Sequence, residues 1–186
     1  MVDQELKQES EDKKMDKVNW NKMREVEIEK IVLHCGGTEE KLEKSRKLLE
    51  KITGSNKIYT VKSTRRIPAF GISPGKQSGV KITIRDKEKI KDYLERFFAS
   101  MENKVKKKAV SDNQFCFGIA EYIEVPGLDY DRDIGISGFE VMVVFTRKGK
   151  RAKMKKIGRG KYPLKQGVTK EKIVEYLESK FGLEFE

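Results

Sequence analysis

The feature that most constrains the fold is a strand pattern followed at once by a helix pattern, between residues 24 and 54. The stretch REVEIEKIVLHCGG (24–37) alternates apolar and polar residues, becomes continuously apolar and stops at a glycine pair. This pattern is typical of a β-strand that ends in a tight turn. The residues that follow predict an amphipathic helix with Thr38 as N-cap and Gly54 just beyond its end. Its apolar stripe consists of Leu42, Leu48, Leu49 and Ile52.

The same alternation of strand and helix patterns continues to the end of the chain. Further strands are predicted in KIYTV (57–61), GVKITIR (79–85), QFCFGIAEYIEV (114–125) and GFEVMVVFTR (138–147). A second helix is expected from Asp86, with Lys104–Lys108 continuing out of its end, and a third after Thr169. Their inward-facing residues are Ile90, Tyr93, Leu94, Phe97, Phe98 and Met101 in one and Ile173, Val174 and Leu177 in the other. The order β-α-β-β-α-β-β-α predicts an α+β fold, a mostly antiparallel sheet with helices packed on one face.

The length and the first residues indicate how the chain is divided. A chain of 186 residues is most simply one domain, which we place at residues 23–186. Residues 1–22 are polar, carry interleaved charges and are expected to form a flexible extension or a frayed helix. The N-terminus has no signal-peptide pattern, and no apolar run is long enough for a membrane span. Two cysteines are too few for a disulfide framework, so a cytoplasmic location is predicted.

The net charge of +11 is unevenly distributed along the chain. Residues 51–85 contain eight Lys or Arg and no acid, and residues 141–170 contain eleven Lys or Arg and no acid. The first 50 residues, by contrast, carry 13 acids against 11 bases. Clustered cations on a balanced remainder indicate a protein that binds a polyanion, with the cations gathered on one docking surface. The alternative is that the chain is merely basic and soluble.

The first acid-free window contains a loop and a strand that could form a binding surface. On the strand, Val80, Ile82 and Ile84 share one face, and Lys81, Thr83 and Arg85 share the other. The polar face could bind phosphates and 2′-hydroxyls, or it could simply be solvated. The loop before it is stiffened by Pro68 and Pro74. Its Phe70 is expected to be a core anchor rather than a stacking group.

The second acid-free window contains a basic segment, residues 147–161, with nine basic residues in fifteen and three glycines. It is too hydrophilic to pack inside and too rich in glycine for a stable helix alone. We expect an extended segment that becomes ordered on a nucleic-acid backbone. The predicted rRNA contacts here are Arg147, Lys148, Lys150, Arg151, Lys153, Lys155, Lys156 and Arg159.

No stretch of the sequence matches a catalytic motif in full. GISPGKQS (71–78) has three residues, not four, between the first glycine and Gly-Lys, and a strand follows it. Asp129, Asp131 and Asp133, with Glu140, match a calcium loop in spacing, but Ile134 occupies the position that needs glycine. The alternative is a polar turn whose acids pair with local bases. We therefore predict a protein that is not an enzyme, without metal or cofactor.

Five stretches carry a resemblance to a known family. They are MREVEIEKIVLHCGG, KLLEKITG, RRIPAFGISPGKQSGVKITIR, FCFGIAEYIEVPGLDYDRDIGISGFE and VTKEKIVEYLESKFGLEFE. In this order they resemble the large-subunit ribosomal protein L five family, the universal 5S rRNA binder, in its archaeal and eukaryotic form. The resemblance implies a non-catalytic protein of the central protuberance. Its implied partners are 5S rRNA, large-subunit rRNA, P-site tRNA and neighbouring ribosomal proteins of the protuberance and of the small-subunit head, across an intersubunit bridge.

The resemblance also implies roles for individual residues. The Thr and Arg of the family's 5S rRNA contact map onto Thr83 and Arg85, and Lys81 and His34 are added as neighbouring rRNA contacts. The family's loop toward P-site tRNA maps roughly onto 57–71, with Lys57, Lys62, Arg65 and Arg66 as its cations. The chain departs from the family at 34–37, where it reads His-Cys-Gly-Gly, at Ser55, and at 138–140, where it reads Gly-Phe-Glu.

Two other functions stay open at this point. One is a free-standing RNA-binding or chaperone-like protein. The other is a metal-dependent enzyme that acts on nucleic acid through the three aspartates at 129, 131 and 133.

Overall fold

The structure, a computed structural model, describes residues 23–185. The predicted flexible extension at 1–22 lies outside the described residues, so the division of the chain at residue 22 stays a prediction. The strands are β1 (Val26–Gly36), β2 (Tyr59–Lys62), β3 (Gln77–Ile84), β4 (Lys104–Val105), β5 (Val110–Ser111), β6 (Gln114–Ile119), β7 (Phe139–Arg147) and β8 (Glu184–Phe185). The helices are α1 (Glu40–Thr53), α2 (Lys87–Ala99), α3 (Arg151–Met154) and α4 (Lys170–Phe181).

Six of these strands form one antiparallel sheet in the order β2-β3-β1-β7-β6-β5. The central strand β1 pairs with β3 through Leu33↔Ile82 and with β7 through Leu33↔Val141. Strands β4 and β8 form a separate, two-stranded parallel pair. The predicted α+β fold with a mostly antiparallel sheet is confirmed.

One face of the sheet is covered by the helices and forms the core. The apolar residues of β3 alternate inward as predicted: Val80, Ile82 and Ile84 are all buried. The predicted helical stripes are also inward: Leu48, Leu49, Ile52, Ile90, Leu94, Phe97, Phe98, Ile173 and Leu177 are buried. The opposite face of the sheet carries the alternate residues and is not covered by any of the described helices. We call it the open face.

Three local predictions of secondary structure were wrong. The strand predicted over 114–125 ends at Ile119, and Tyr122–Glu124 form a turn of 3₁₀ helix. Helix α1 begins at Glu40 rather than directly after Thr38, and Glu39 precedes it with φ of 51° and no side-chain cap hydrogen bond. Glu39 is instead bound by Lys76, whose Nζ lies 2.9 Å from its Oε1. The residues after α2 do not continue that helix: Lys104 and Val105 pair with β8, and Val105 is buried. The predicted cap at the other end of α1 is present, because Gly54 adopts φ of 61° and its N–H donates to the carbonyl of Glu50.

Candidate nucleic-acid interface

The open face is built from the residues that alternate with the core positions. The strand registers place Tyr59 beside Lys81, Lys81 beside His34, His34 beside Glu140 and Glu140 beside Gly118. A second row consists of Thr83, Val32, Met142 and Cys116. The cationic and aromatic side chains thus lie toward the β2 edge, and the apolar and small ones toward β6.

The β2 side of the open face contains most of the predicted 5S rRNA contacts. The ammonium of Lys81 lies over the ring of Tyr59, 5.1 Å from its centroid, and Tyr59 is 64% exposed. Thr83 on β3 and Arg85 directly after it are exposed, and Arg85 has no ion pair with another described residue. Lys57 lines the same hollow as Thr83 and Arg85, so it lies with the sheet contacts rather than at the loop tip.

Two residues in the middle of the open face form a side-chain contact that the sequence did not predict. His34 Nδ1 lies 3.3 Å from Glu140 Oε2, and the Glu140 side chain is 77% exposed. His34, a predicted rRNA contact, is therefore partly exposed to solvent with a carboxylate beside it. The exposure of Glu140 could have been predicted from the alternation of apolar and other residues along β7, which turns Glu140 away from the core. The same carboxylate adds to burial, the larger cause, in raising the pKa of the nearby Cys116 thiol.

The loop between β2 and β3, residues 63–76, extends the hairpin as a hydrogen-bonded finger. Ser63 N donates to the carbonyl of Lys76 and Ile67 N to that of Ile72, each at 2.8 Å. Its predicted tRNA contacts Arg65 and Arg66 are exposed, as is Lys62 at the end of β2. None of these three has an ion pair within residues 23–185, whereas Lys76 is paired to Glu39, whose pKa it lowers.

The expectation that Phe70 anchors this loop in the core was wrong. Phe70 is 73% exposed. Pro68–Phe70 form a turn of 3₁₀ helix closed by the bridge between Ile67 and Ile72. The backbone hydrogen bonds of this turn hold the loop tip together, so it needs no buried aromatic anchor. The aromatic ring is instead presented at the tip.

The start of the basic segment is less available than its sequence suggests. Arg147 is only 6% exposed, and the alternation of β7 turns it toward the core side, where an Nη–H donates to the carbonyl of Lys165. Lys148 pairs with Glu25 at 3.0 Å and with Glu27 at 3.3 Å, and Lys150 pairs with Glu29. Hydrogen bonds to Glu25 and Glu27 raise the pKa of Lys148, and hydrogen bonds from Lys87 and Lys148 lower the pKa of Glu27. Three predicted rRNA contacts therefore have other partners.

The remainder of the basic segment is exposed but is not extended as predicted. Residues 151–154 form the short helix α3, and the chain then folds back, with Arg159 Nε donating to the carbonyl of Lys153 at 2.7 Å. Gly160 N also donates to the carbonyl of Ala152, which closes the same turn. The exposed cations of this part are Arg151, Lys153, Lys155, Lys156, Arg159 and Lys161, and none has an ion pair in the described part of the chain.

The loop at 63–76 of the first acid-free window and the basic segment of the second lie at opposite ends of the sheet. Gly79, close to the loop at 63–76, pairs with Gly36 at one end of β1, and Arg147 pairs with Val26 at the other. A strand of eleven residues is about 33 Å long. The expectation of one docking surface was therefore too simple, because the cations of this loop and those of the basic segment form separate patches on either side of the open face.

The aspartates at 129, 131 and 133 are held by lysines of α1. Lys51 Nζ donates to the carbonyl of Asp129 at 2.7 Å and lies 3.6 Å from Asp131, and Lys47 lies 3.4 Å from Asp133. Asp131 Oδ1 accepts from the N–H of Asp133, which makes the stretch a polar turn. Within residues 23–185 no three His, Cys, Asp or Glu side chains are grouped as a metal site would need. In the same range, none of the helices combines the length and apolar character that crossing a bilayer requires.

Comparison with known proteins gives consistent matches. A family model that describes the C-terminus of the ribosomal protein L five family matches residues 77–181, from β3 to the end of α4. Proteins named "Large ribosomal subunit protein uL5" are similar over most of their length. The one from Nanoarchaeum equitans is 35% identical over 164 residues, covering 87% of this chain and 96% of the relative.

Two further archaeal relatives of the same name agree. The protein of Archaeoglobus fulgidus is 36% identical over 163 residues, covering 87% of this chain and 90% of its own. That of Methanospirillum hungatei is 35% identical over 167 residues, with 88% and 98% covered. With a family model that spans more than half of the sequence and relatives matched along nearly their whole length, the chain belongs to the ribosomal protein L five family.

Proposed function

We propose that this protein binds 5S rRNA with the open face of its sheet, in the central protuberance of the large ribosomal subunit. Membership of the family already makes the chain a structural protein of the large ribosomal subunit and not an enzyme. A ribosomal protein also agrees with the predicted cytoplasmic location. The name of the relatives does not specify 5S rRNA, which is our proposal.

The observation that carries the proposal is the set of solvent-accessible side chains on the β2 side of the open face. Lys81 and Arg85 supply two cations, Thr83 a hydroxyl and Tyr59 an exposed ring; Lys81 and Thr83 lie on β3, Arg85 directly follows it, and Tyr59 lies on the neighbouring β2. Cations bind phosphate oxygens, hydroxyls bind 2′-hydroxyls and aromatic rings stack on bases. These are the groups that RNA recognition by a sheet requires.

The two cationic patches on either side of the open face extend the proposal to further RNA. The loop at 63–76 presents Arg65, Arg66 and an aromatic tip on a preformed finger, which suits a contact with the P-site tRNA. A preformed loop loses less conformational entropy on binding. The exposed cations at 151–159 suit contact with the large-subunit rRNA backbone. The protein neighbours of the protuberance and small-subunit head remain part of the same proposal.

The proposal is tested by binding to purified 5S rRNA. The protein should bind labelled 5S rRNA and resist competition by about a tenfold mass excess of an unrelated duplex RNA, an excess well below the usual specificity ratio. Equal competition by both RNAs would contradict 5S recognition. Sedimentation of cell extract distinguishes a ribosomal protein from a free-standing RNA-binding or chaperone-like protein. The ribosomal protein should sediment with the large subunit, whereas the free-standing protein would stay outside that fraction.

A further inference from the structure

Gly118 lies inside strand β6 without a reason in the protein's own fold. Its backbone is not in the left-handed region, and a Cβ built on it would meet no heavy atom within 4 Å. Gly79 of β3 is different, because a Cβ there would lie 2.8 Å from the carbonyl oxygen of Cys35 and 2.9 Å from His34 Nε2. Glycine inside a strand weakens it, and it often marks the close approach of a ligand. The flanking Phe117 and Ile119 are buried, so Gly118 faces outward on the open face.

The neighbours of Gly118 form a shallow notch on the β6 side of the open face. Glu140 pairs directly with Gly118 across the strands, and Met142 pairs with Cys116. The hollow that these residues line has a volume of about 430 Å³. Its floor is apolar and small, and its polar atoms include the carboxylate of Glu140 and the ring of His34. The notch is thus an apolar platform with an acceptor at its side.

The carboxylate decides which part of an RNA can approach this notch. A phosphate would be repelled by Glu140, since like charges at short range disfavour each other. A nucleobase can lie on the apolar floor and donate hydrogen bonds to the carboxylate. Oε2 of Glu140 contacts His34, and the side chain remains 77% exposed, so acceptor capacity is left for a ligand. Among the four bases, guanine has two adjacent donors, N1–H and N2–H, on its Watson–Crick edge, which match a carboxylate.

We propose that the notch at Gly118 binds one unpaired guanine of the RNA, with Glu140 accepting from its Watson–Crick edge. The inference rests on the proposed RNA-binding function and specifies where a base, rather than the backbone, contacts the protein. The phosphates of the same RNA lie toward Lys81 and Arg85, on the far side of His34. Glu140 therefore serves recognition within an otherwise cationic binding face.

The first test fills the notch. Gly118→Val places a branched side chain in space that the protein leaves open, so the variant should fold with a melting temperature equal to or above that of the parent. Its affinity for 5S rRNA should fall by about tenfold or more, the effect of losing one good base contact. Gln114→Val, on the same strand and face but away from the notch, is the matched control and should bind like the parent.

The outcomes of this test are separable. If the parent protein does not bind 5S rRNA, the proposed function is wrong, and this result is independent of the substitution in the notch. If the parent binds and Gly118→Val binds equally well, the notch is overturned. An equal loss in Gly118→Val and Gln114→Val also overturns it, because the effect would not be local.

The second test identifies the base and leaves Gly118 unchanged. 5S rRNA is prepared with inosine replacing guanosine at random single positions; inosine lacks the N2 amino group. At one position, inosine should weaken binding to the parent protein by about fivefold or more. In Glu140→Gln, which has lost one carboxylate acceptor, the same substitution should have a smaller effect. If no guanine position behaves in this way, the proposed guanine contact is wrong.

Discussion

Arg85 and Arg147 carry the same side chain, and the alternation of their strands gives them opposite surroundings. Arg85 follows β3 on the outward face and is exposed, whereas Arg147 ends β7 on the inward face and is 6% exposed. Sequence position alone placed both in acid-free windows. Telling the two arginines apart requires knowing which face of each strand is inward. For Arg147 the alternation of buried residues along β7 gives the answer, because it places Arg147 on the inward face.

We expect Arg85→Ala to weaken 5S rRNA binding by about 1–3 kcal/mol, because it removes a guanidinium that can bind RNA directly. Filter binding at fixed salt measures the change. Lys91→Ala is the matched control, since Lys91 is an exposed cation on α2, in the helical layer, and is paired to Glu95 at 3.7 Å. An unchanged affinity of Arg85→Ala, or an equal loss in the control, would contradict an RNA contact by Arg85.

Arg147→Met should leave RNA binding unchanged and should keep or raise the free energy of unfolding, by up to about 2 kcal/mol. The reason is that Arg147 is a buried charge without a carboxylate partner among the described residues, and its Nε has no hydrogen-bond partner there. Urea denaturation of the parent and the variant measures the difference. Weaker RNA binding by a variant of undiminished stability would instead make Arg147 an RNA contact.

At the scale of elements, the finger at 63–76 is ordered by its own backbone rather than by packing on the core. The sequence predicted its cations and its stiffening prolines but not the exposure of Phe70. An aromatic residue in a loop gives no local signal of its direction, which here depends on the bridge between Ile67 and Ile72. Strands and helices were predicted more closely, because the spacing of apolar residues directly encodes which face is buried.

Phe70→Ala should change the free energy of unfolding by no more than about 0.5 kcal/mol, as for other exposed positions. Phe97→Ala is the matched comparison: Phe97 is 1% exposed in α2, so the same truncation should cost about 3–5 kcal/mol. Chemical denaturation of both variants under one condition gives the two values. A large loss in Phe70→Ala would mean that the aromatic ring does pack on the protein.

The same reasoning shows why the basic segment was only partly predicted. Its sequence contains no acid, but β1 pairs with β7, and the register Val26↔Arg147 places Glu25 and Glu27 beside Lys148. These residues are more than a hundred positions apart in the chain. A count of charges in a sequence window includes only residues that are close in the chain. The pairing of strands in the sheet then places carboxylates from a distant part of the chain beside the window. The acid-free window is therefore not an acid-free surface along its whole length.

For the whole molecule, the pattern of pairing divides the cations into two groups with different expected effects on RNA binding. Lys148 and Lys150 are neutralised within the protein, whereas Lys62, Arg65 and Arg66 at one end of the sheet and 151–159 at the other have no ion pair among the described residues. Since these unpaired groups bracket the open face, an RNA that binds across it can contact all of them. Counterion release from the RNA should then dominate the affinity.

The dependence of affinity on salt tests this division. With about six to eight phosphates neutralised, the logarithm of the 5S rRNA affinity should fall against the logarithm of salt concentration with a slope near −4 to −6. Lys156→Ala removes an unpaired cation and should reduce the magnitude of the slope by about 1. Lys148→Ala should reduce it less, because Glu25 and Glu27 already hold that ammonium and would have to release it to RNA. A slope near zero in the folded parent protein would rule out the electrostatic basis of binding, and equal changes in the two variants would mean that the ion pairs of Lys148 open when RNA binds.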